Sequence, residues 1–342
     1  MTIKIAVDVM GADNPPSVLI EGVINAVNKF SDIMIFLVGK QEIINEKLSA
    51  LEYPENSIEV VNSSQIIEMS ESPSKALRQK KDSSIYIGSQ LVAEGEAEAF
   101  VSPGNTGAVM AAGLFNIGRI SGIKRPAIVT LFPSEGGRTL VLDSGANTDS
   151  TPENLLQFAL MGQIYAHLIL NKTEARIGLL SIGEEKSKGN KLTSETYDLL
   201  EQDPRIKKFI GNIEGRDVFS DKCDIAVCDG FTGNIVLKTT EGTAFFLLDM
   251  FKKAFKKNLI TKFAALIMKS QLKEIKNKVD YRQYGGAPLL GVKGVVIISH
   301  GSSDKTAIYN AVLAARRNVK NDIVREINDI INREGEGNEQ GE

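Results

Sequence analysis

The chain has 342 residues, 42% of them hydrophobic, with a net charge of −3, two histidines, two cysteines and no tryptophan. Its length and apolar content allow a large core and exclude a disordered chain, while so few histidines and cysteines leave little scope for a metal centre or a disulfide scaffold. The charge gives no reason to expect a nucleic-acid partner, and no run of about 18 uninterrupted apolar residues exists to span a membrane, the best being AFFLL at Ala244 to Leu248.

From the N-terminus, MTIKIAVDVMG runs straight into a β-rich segment with no apolar leader or cleavage site, so a cytoplasmic enzyme is expected. β-Branched runs then recur, each ending in small or polar residues: IKIAVDV (Ile3 to Val9), IMIFLVG (Ile33 to Gly39), AFVSPG (Ala99 to Gly104), TLVLDSG (Thr139 to Gly145), RIGLLSIG (Arg176 to Gly183), DIAVCDG (Asp224 to Gly230) and GVVIISHG (Gly294 to Gly301). Helix-length segments such as Pro152 to Leu170 and Lys191 to Glu201 separate most of them. Near-continuous apolar strands alternating with helices predict an α/β fold with a mainly parallel sheet covered on both faces. It is read as one catalytic unit over residues 1–331, with a helical excursion at 234–279 and a polar, glycine-rich tail at 332–342 that is expected to be disordered.

Cys223 and Cys228 lie five apart in a predicted strand, which places them on opposite faces and leaves packing as their role. His167, inside IYAHLIL, reads as a core or interface residue. No nucleophile and base pair stands out and no G-x-S-x-G elbow is present, which disfavours a covalent acyl-enzyme. The nucleotide templates also fail. There is no G-x-G-x-x-G, and GLLSIGEE (Gly178 to Glu185) carries Glu184 where a P-loop needs lysine. Neither a cofactor nor a metal is expected.

Glycine instead packs beside polar residues at the strand ends: DVMGADNPP (Asp8 to Pro16), SPGNTGA (Ser102 to Ala108), DSGAN (Asp143 to Asn147), IGEEKSKGN (Ile182 to Asn190), EGRD (Glu214 to Asp217), DGFTGN (Asp229 to Asn234), YGGAPLLG (Tyr284 to Gly291) and SHGSS (Ser299 to Ser303). A structural turn needs one glycine. Repeated turns at one sheet edge predict a cleft lined with backbone donors, suited to holding an anion and stabilising an oxyanion during direct transfer.

In this order, and over nearly the whole chain, the motifs resemble the bacterial phosphate acyltransferase family, the acyl-acyl-carrier-protein:phosphate acyltransferases of phospholipid synthesis. Val9, Ala12 and Pro103 depart from the family pattern, and Pro103 removes one amide donor from its turn. The resemblance implies a three-layer α/β/α sandwich similar to phosphotransacetylases and to isocitrate/isopropylmalate dehydrogenases, and a homodimer. It also implies reversible transfer of an acyl chain from the thiol of acyl carrier protein to inorganic phosphate, giving acyl phosphate for a downstream membrane acyltransferase.

On that basis Lys186, Asn234 and His300 are the candidate catalytic residues. Candidate substrate-binding residues are Ser102, Gly104, Asn105, Thr106, Gly107, Asp143, Asn147, Lys188, Asp229, Thr232, Gly233 and Lys305. Lys186 or Lys188 would offset the charge of phosphate or the leaving thiolate, with His300 or Lys305 serving instead. The structural alternatives are turn capping for Asp143 and Asp229, a solvated loop charge for Lys186 and a backbone hydrogen bond for His300.

From Lys252 to Lys278 nine lysines face Glu274 alone, so this stretch carries about +8. Phe255, Leu259 and Phe263 fall on one helical face, and a hairpin bend is expected near Asn258 to Thr261. Lys252, Lys253, Lys256, Lys257 and Lys262, with Leu259, Ile260 and Phe263, are candidates for contact with an acidic carrier protein or a peripheral membrane surface. A dimer-forming helix pair is the plainer reading. An enzyme acting on acyl-coenzyme A in the manner of a phosphotransacetylase, and a non-catalytic membrane-associated scaffold, are the competing functions.

Overall fold

A computed structural model describes residues 2–273 and 285–332. The first half of the chain forms β1 (Ile3–Asp8), β2 (Ile33–Gly39), β3 (Ile58–Asn62) and β4 (Ala99–Ser102), with α1 (Pro16–Lys29) and α2 (Gln41–Leu48) in the crossovers and α3 (Pro73–Gln79) and α4 (Ser84–Ala93) ahead of β4. Next come α5 (Thr106–Ala112), β5 (Ala127–Ile128), β6 (Thr130–Ser134), β7 (Gly137–Leu142), α6 (Pro152–Leu170), β8 (Ile177–Leu180), α7 (Lys191–Gln202), β9 (Phe209–Ile213) and β10 (Ile225–Val227). α8 (Gly230–Lys256) and α9 (Leu259–Ile267) make the excursion, and β11 (Ala287–Leu290), β12 (Val295–Ile298), α10 (Lys305–Lys320) and α11 (Ile323–Asn332) complete the described chain.

The mainly parallel α/β architecture is distributed over two sheets, ordered β3-β2-β1-β4-β12-β11-β5 and β6-β7-β10-β8-β9. The exceptions to parallel pairing are β11, antiparallel to both neighbours, and β6, antiparallel to β7. Only Val129 separates β5 from β6, and its amide donates to the Pro288 carbonyl at 2.9 Å. Ile5 and Val7 of one sheet share a continuous buried core with Leu140, Leu142 and Ile225 of the other. Strands buried on both faces, such as β10, read as unbroken apolar runs, whereas β3 is a half-exposed edge strand that carries Glu59 and Asn62.

Two expectations are corrected by the packing. His167 is exposed and so not a core residue, because the core-facing stripe of α6 runs through Leu155, Phe158, Ala159, Gly162, Ala166 and Ile169 and leaves position 167 outside it; the interface half of that expectation is compatible with this exposure. Cys223 and Cys228 join the same small apolar cluster rather than opposite faces, since β10 covers only Ile225–Val227 and the flanking residues have left strand alternation. The expected hairpin bend is present, and it puts Phe255 on α8 and Leu259 and Phe263 on α9. The bend lies at Lys257 and Asn258, where the Asn258 side chain accepts from the Thr261 amide at 2.9 Å and starts α9. Tyr284, the part of the excursion beyond Lys273 and the tail from Arg333 lie outside the described residues.

Ahead of β10, the Asp224 carboxylate accepts from the Arg176 backbone amide at 2.8 Å and from its Nε at 2.9 Å, and it also pairs with Lys172. Burial alone would raise this carboxyl, but the two cations and the amide hold it well below the usual carboxylate range. A depressed folded pKa stabilises the fold above the unfolded value and loses that contribution as the pH falls. Asp224→Asn is therefore expected to lower the unfolding free energy at neutral pH by about 2 kcal/mol. In urea titrations the difference from the parent should narrow below about pH 4.

Candidate active site

The carboxyl ends of the strands carry two buried acids, one in each sheet. At the end of β1, Asp8 accepts from the amides of Met10 and Gly11, at 2.9 and 3.1 Å, and from the Ser102 hydroxyl at 2.8 Å. Ser102 in turn accepts from the Gly104 amide at 3.0 Å. Asn105 caps α5 by accepting from the Ala108 amide, and its side-chain NH2 donates to the carbonyls of Glu68, Met69 and Glu71. The polar atoms of Ser102 and Asn105 are thus committed to the turn, and Thr106 is the exposed residue that it presents.

After β7, Asp143 takes five hydrogen bonds. Oδ1 accepts from the amides of Ile128, Gly145 and Ala146, and Oδ2 accepts from the amide and the side-chain NH2 of Asn147. Burial pushes this carboxyl above its ordinary pKa, yet both oxygens face donors, so the site is built for the carboxylate. α8 starts directly on this loop. Asp229 caps it by accepting from the Thr232 amide at 2.8 Å and the Thr232 hydroxyl at 2.7 Å. A Cβ on Gly233 would lie 1.8 Å from the Asp143 carbonyl oxygen, so only glycine lets the first turn of α8 approach so closely. That approach sets Asn234 against Gly145, whose hypothetical Cβ would lie 3.5 Å from the Asn234 side chain.

Above these supports lies a cavity of about 850 Å³. Thr106, Ser144, Gly145, Asn234, Ser299 and His300 bring polar groups to it from four separate strand ends. Leu131 and Phe132 of β6, Phe219, and Leu237, Leu248 and Phe251 of α8 supply apolar walls. Phe219 meets Phe132 edge-on, with ring centroids 5.9 Å apart. His300 Nδ1 lies 2.8 Å from the Ser302 hydroxyl oxygen and accepts from the Ser302 amide at 3.1 Å, which leaves the proton of the neutral ring on Nε2.

Of the residues singled out by sequence, Thr106, Asn234 and His300 therefore meet at the cavity. Ser102, Gly104, Asn105, Asp143, Asn147, Asp229, Thr232 and Gly233 form its supports, while Gly107 packs on Pro73. Three lysines are not in the cavity wall. Lys186 pairs with Asp198 at 2.9 Å and Glu201 at 2.7 Å, which raises its pKa, and sits over the Tyr197 ring. Lys188 is on the same exposed loop, with its carbonyl accepting from the Ser181 hydroxyl, and Lys305 faces Glu21 at 3.7 Å. Their motifs lie at strand ends, but the side chains of Lys186 and Lys305 turn toward carboxylates on neighbouring helices.

Sequence reasoning missed Lys238, the one cation in the cavity wall among the described residues. It follows Asn234 by four positions, the spacing that puts two side chains on one helical face, and pairs with Glu241 at 2.8 Å. It also missed the apolar wall, although AFFLL supplies part of it. Glu184, Glu214 and Asp217 come close enough to share an ion. Lys222 is already paired with Glu184 and Asp217, and Arg216 with Glu214. Burial pushes the Cys223 thiol up to about 12 and the Cys228 thiol well above its ordinary value, so neither is a thiolate nucleophile near neutral pH.

The fold is similar to that of a phosphotransacetylase from Streptococcus pyogenes. It superimposes with a TM-score of 0.62 over 93% of this chain and 94% of its own, at 17% identity, a likeness of fold. The family model described as "Fatty acid synthesis protein" matches residues 3–326. A phosphate acyltransferase from Halothermothrix orenii is 54% identical over 97% of this chain and the whole of its own length, and one from Desulfitobacterium hafniense is 49% identical over 95% and 96%. The chain belongs to the phosphate acyltransferase family.

The supports carry a stability cost if disturbed. Asp143→Asn would turn an NH2 group toward N–H donors, and is expected to lower the unfolding free energy by about 3 kcal/mol in chemical denaturation.

Proposed function

We propose that the protein transfers a fatty acyl group from the thiol of acyl carrier protein to inorganic phosphate, reversibly. The observation that carries this reading is the cavity itself, in which polar groups from four strand ends adjoin a long apolar wall on α8 and β6. A phosphate oxygen attacks the thioester carbonyl, the tetrahedral oxyanion collapses, and the C–S bond breaks. The proton lost by hydrogen phosphate balances the one gained by the carrier thiol, so the step balances without a redox partner or a nucleotide. Asn234, on the cavity wall, steadies the oxyanion. Nε2–H of His300 donates a hydrogen bond to the leaving sulfur, which takes up the proton released by hydrogen phosphate.

Lys238 supplies positive charge to the phosphate by exchanging its pairing with Glu241. Lys186 can serve the same purpose only by leaving Asp198 and Glu201. The reading is tested by incubating the protein with palmitoyl-acyl carrier protein and phosphate and measuring free carrier thiol and acyl phosphate. Both are expected to appear in equal amounts and only with phosphate present. Transfer from palmitoyl-coenzyme A alone would favour the phosphotransacetylase reading, and no transfer from either would favour the scaffold. Lys238→Ala is expected to raise the KM for phosphate by about tenfold, and more than Lys186→Ala does.

The hairpin supports a second part of the proposal. In α9 no side chain is buried, and Leu259 and Ile260 are 82% and 81% exposed beside Lys256, Lys257 and Lys262. This tip suits contact with an anionic bilayer, where acyl phosphate would be handed to a membrane acyltransferase. Phe245, Phe246 and Met250 on α8 are exposed and suit a second copy in a homodimer, and Lys252 and Lys253 suit the acidic carrier. No helix among the described residues is long and apolar enough to cross a membrane. Leu259→Glu combined with Phe263→Glu is expected to abolish flotation with phosphatidylglycerol vesicles; unchanged flotation would remove the membrane contact.

A further inference from the structure

The inner face of α8 is graded along its length. Leu237, Glu241, Ala244 and Leu248 are half-buried among exposed neighbours and line the cavity at helical spacing. The near end is polar, with Asn234 at the strand ends and the Lys238–Glu241 pair over the next two turns. Beyond Glu241 the cavity-facing residues of the helix are apolar apart from Thr243: Ala244, Leu247, Leu248 and Phe251; Leu131 and Phe132 of β6 line the same cavity. At 1.5 Å per residue, Ala244 lies about 15 Å along the helix from Asn234, and Phe251 about 25 Å. Among these apolar positions of α8, Ala244 alone carries nothing larger than a methyl group.

We infer that this slot between α8 and β6 takes the acyl chain lengthwise, with its thioester at Asn234, and that the small side chain of Ala244 sets how long a chain is accepted. The inference builds on the acyl-transfer reading and adds the position that governs chain length. Three features point to an acyl chain as the occupant. The slot opens from the polar groups that would hold a thioester, its lining turns apolar with distance from them, and its length along α8 exceeds what a short acyl group would need. A chain that passes Ala244 meets Leu248 and Phe251, whereas a short one ends before it.

The test compares the full-length protein with Ala244→Phe, measuring kcat/KM for octanoyl-, lauroyl- and palmitoyl-acyl carrier protein with phosphate in excess. For palmitoyl the variant is expected to lose about tenfold or more, while octanoyl stays within about twofold. Leu248→Ala, which enlarges the slot instead of filling it, should raise stearoyl use relative to palmitoyl and guards against a folding defect in the first variant. Equal losses for every chain length from a normally folded Ala244→Phe, or no loss at all, would overturn the assignment. So would a changed oligomeric state with unaltered chain selectivity, because the slot would then belong to a second copy of the chain. If the parent protein transferred no acyl group of any length to phosphate, the acyl-transfer reading itself would fall, a result distinct from transfer that ignores position 244.

Discussion

The architecture of the site depends on one buried carboxylate. Asp143 binds the Ile128 amide of one sheet while standing at the end of β7 in the other, and its remaining bonds shape the 145–147 turn. The same loop receives α8, because glycine at 233 lets the helix backbone come down onto the Asp143 carbonyl. Both walls of the cavity are thereby referred to a single group. Asp8 repeats the device in the first sheet, with Ser102 and the amides of Met10 and Gly11. Neither acid needs to touch substrate to matter, since each fixes turns whose outward residues do.

Such a scaffold suits a reaction in which one substrate brings the nucleophile. Phosphate is already anionic at neutral pH and carries the proton that sulfur needs, so what the protein must supply is position, an oxyanion partner and a hydrogen bond to the leaving sulfur. The two cysteines are buried with raised pKa values, and Nδ1 of the histidine at the cavity is taken up by a neighbouring amide. The exposed hairpin, rich in phenylalanine and lysine, adds a surface whose chemistry fits a lipid-bound product.

Much of the fold was legible because buried parallel strands must be apolar on both faces. The seven β-branched runs match β1, β2, β4, β7, β8, β10 and β12 to within a few residues. Five strands escaped notice: β3 is a half-exposed edge carrying Glu59 and Asn62, β5 is only two residues long, β9 is interrupted by Gly211 and Asn212, and β6 and β11 carry Pro133 and Pro288, which weaken a strand signal. The division into two sheets turns on the single residue Val129, which no periodicity reveals. The site was legible at the level of motifs, and Thr106, Asn234 and His300 do converge. Which polar residue faces the cavity and which supports it depends on contacts distant in sequence, such as Asn105 with the carbonyls at 68–71 and Lys186 with α7. Lys238 was hidden by the lysine-rich stretch that follows it.

Direct attack by bound phosphate, with no acyl-enzyme, is the central chemical claim, and isotope exchange between carriers measures it. Palmitoyl-acyl carrier protein is mixed with free, isotopically labelled carrier protein and the enzyme, without phosphate, and the label in the thioester is followed by mass spectrometry. Direct transfer predicts no labelled thioester until phosphate is added, and rapid exchange afterwards through reversible formation of acyl phosphate. Label entering the thioester before phosphate is present would mean that the protein itself takes up the acyl group, and would contradict it.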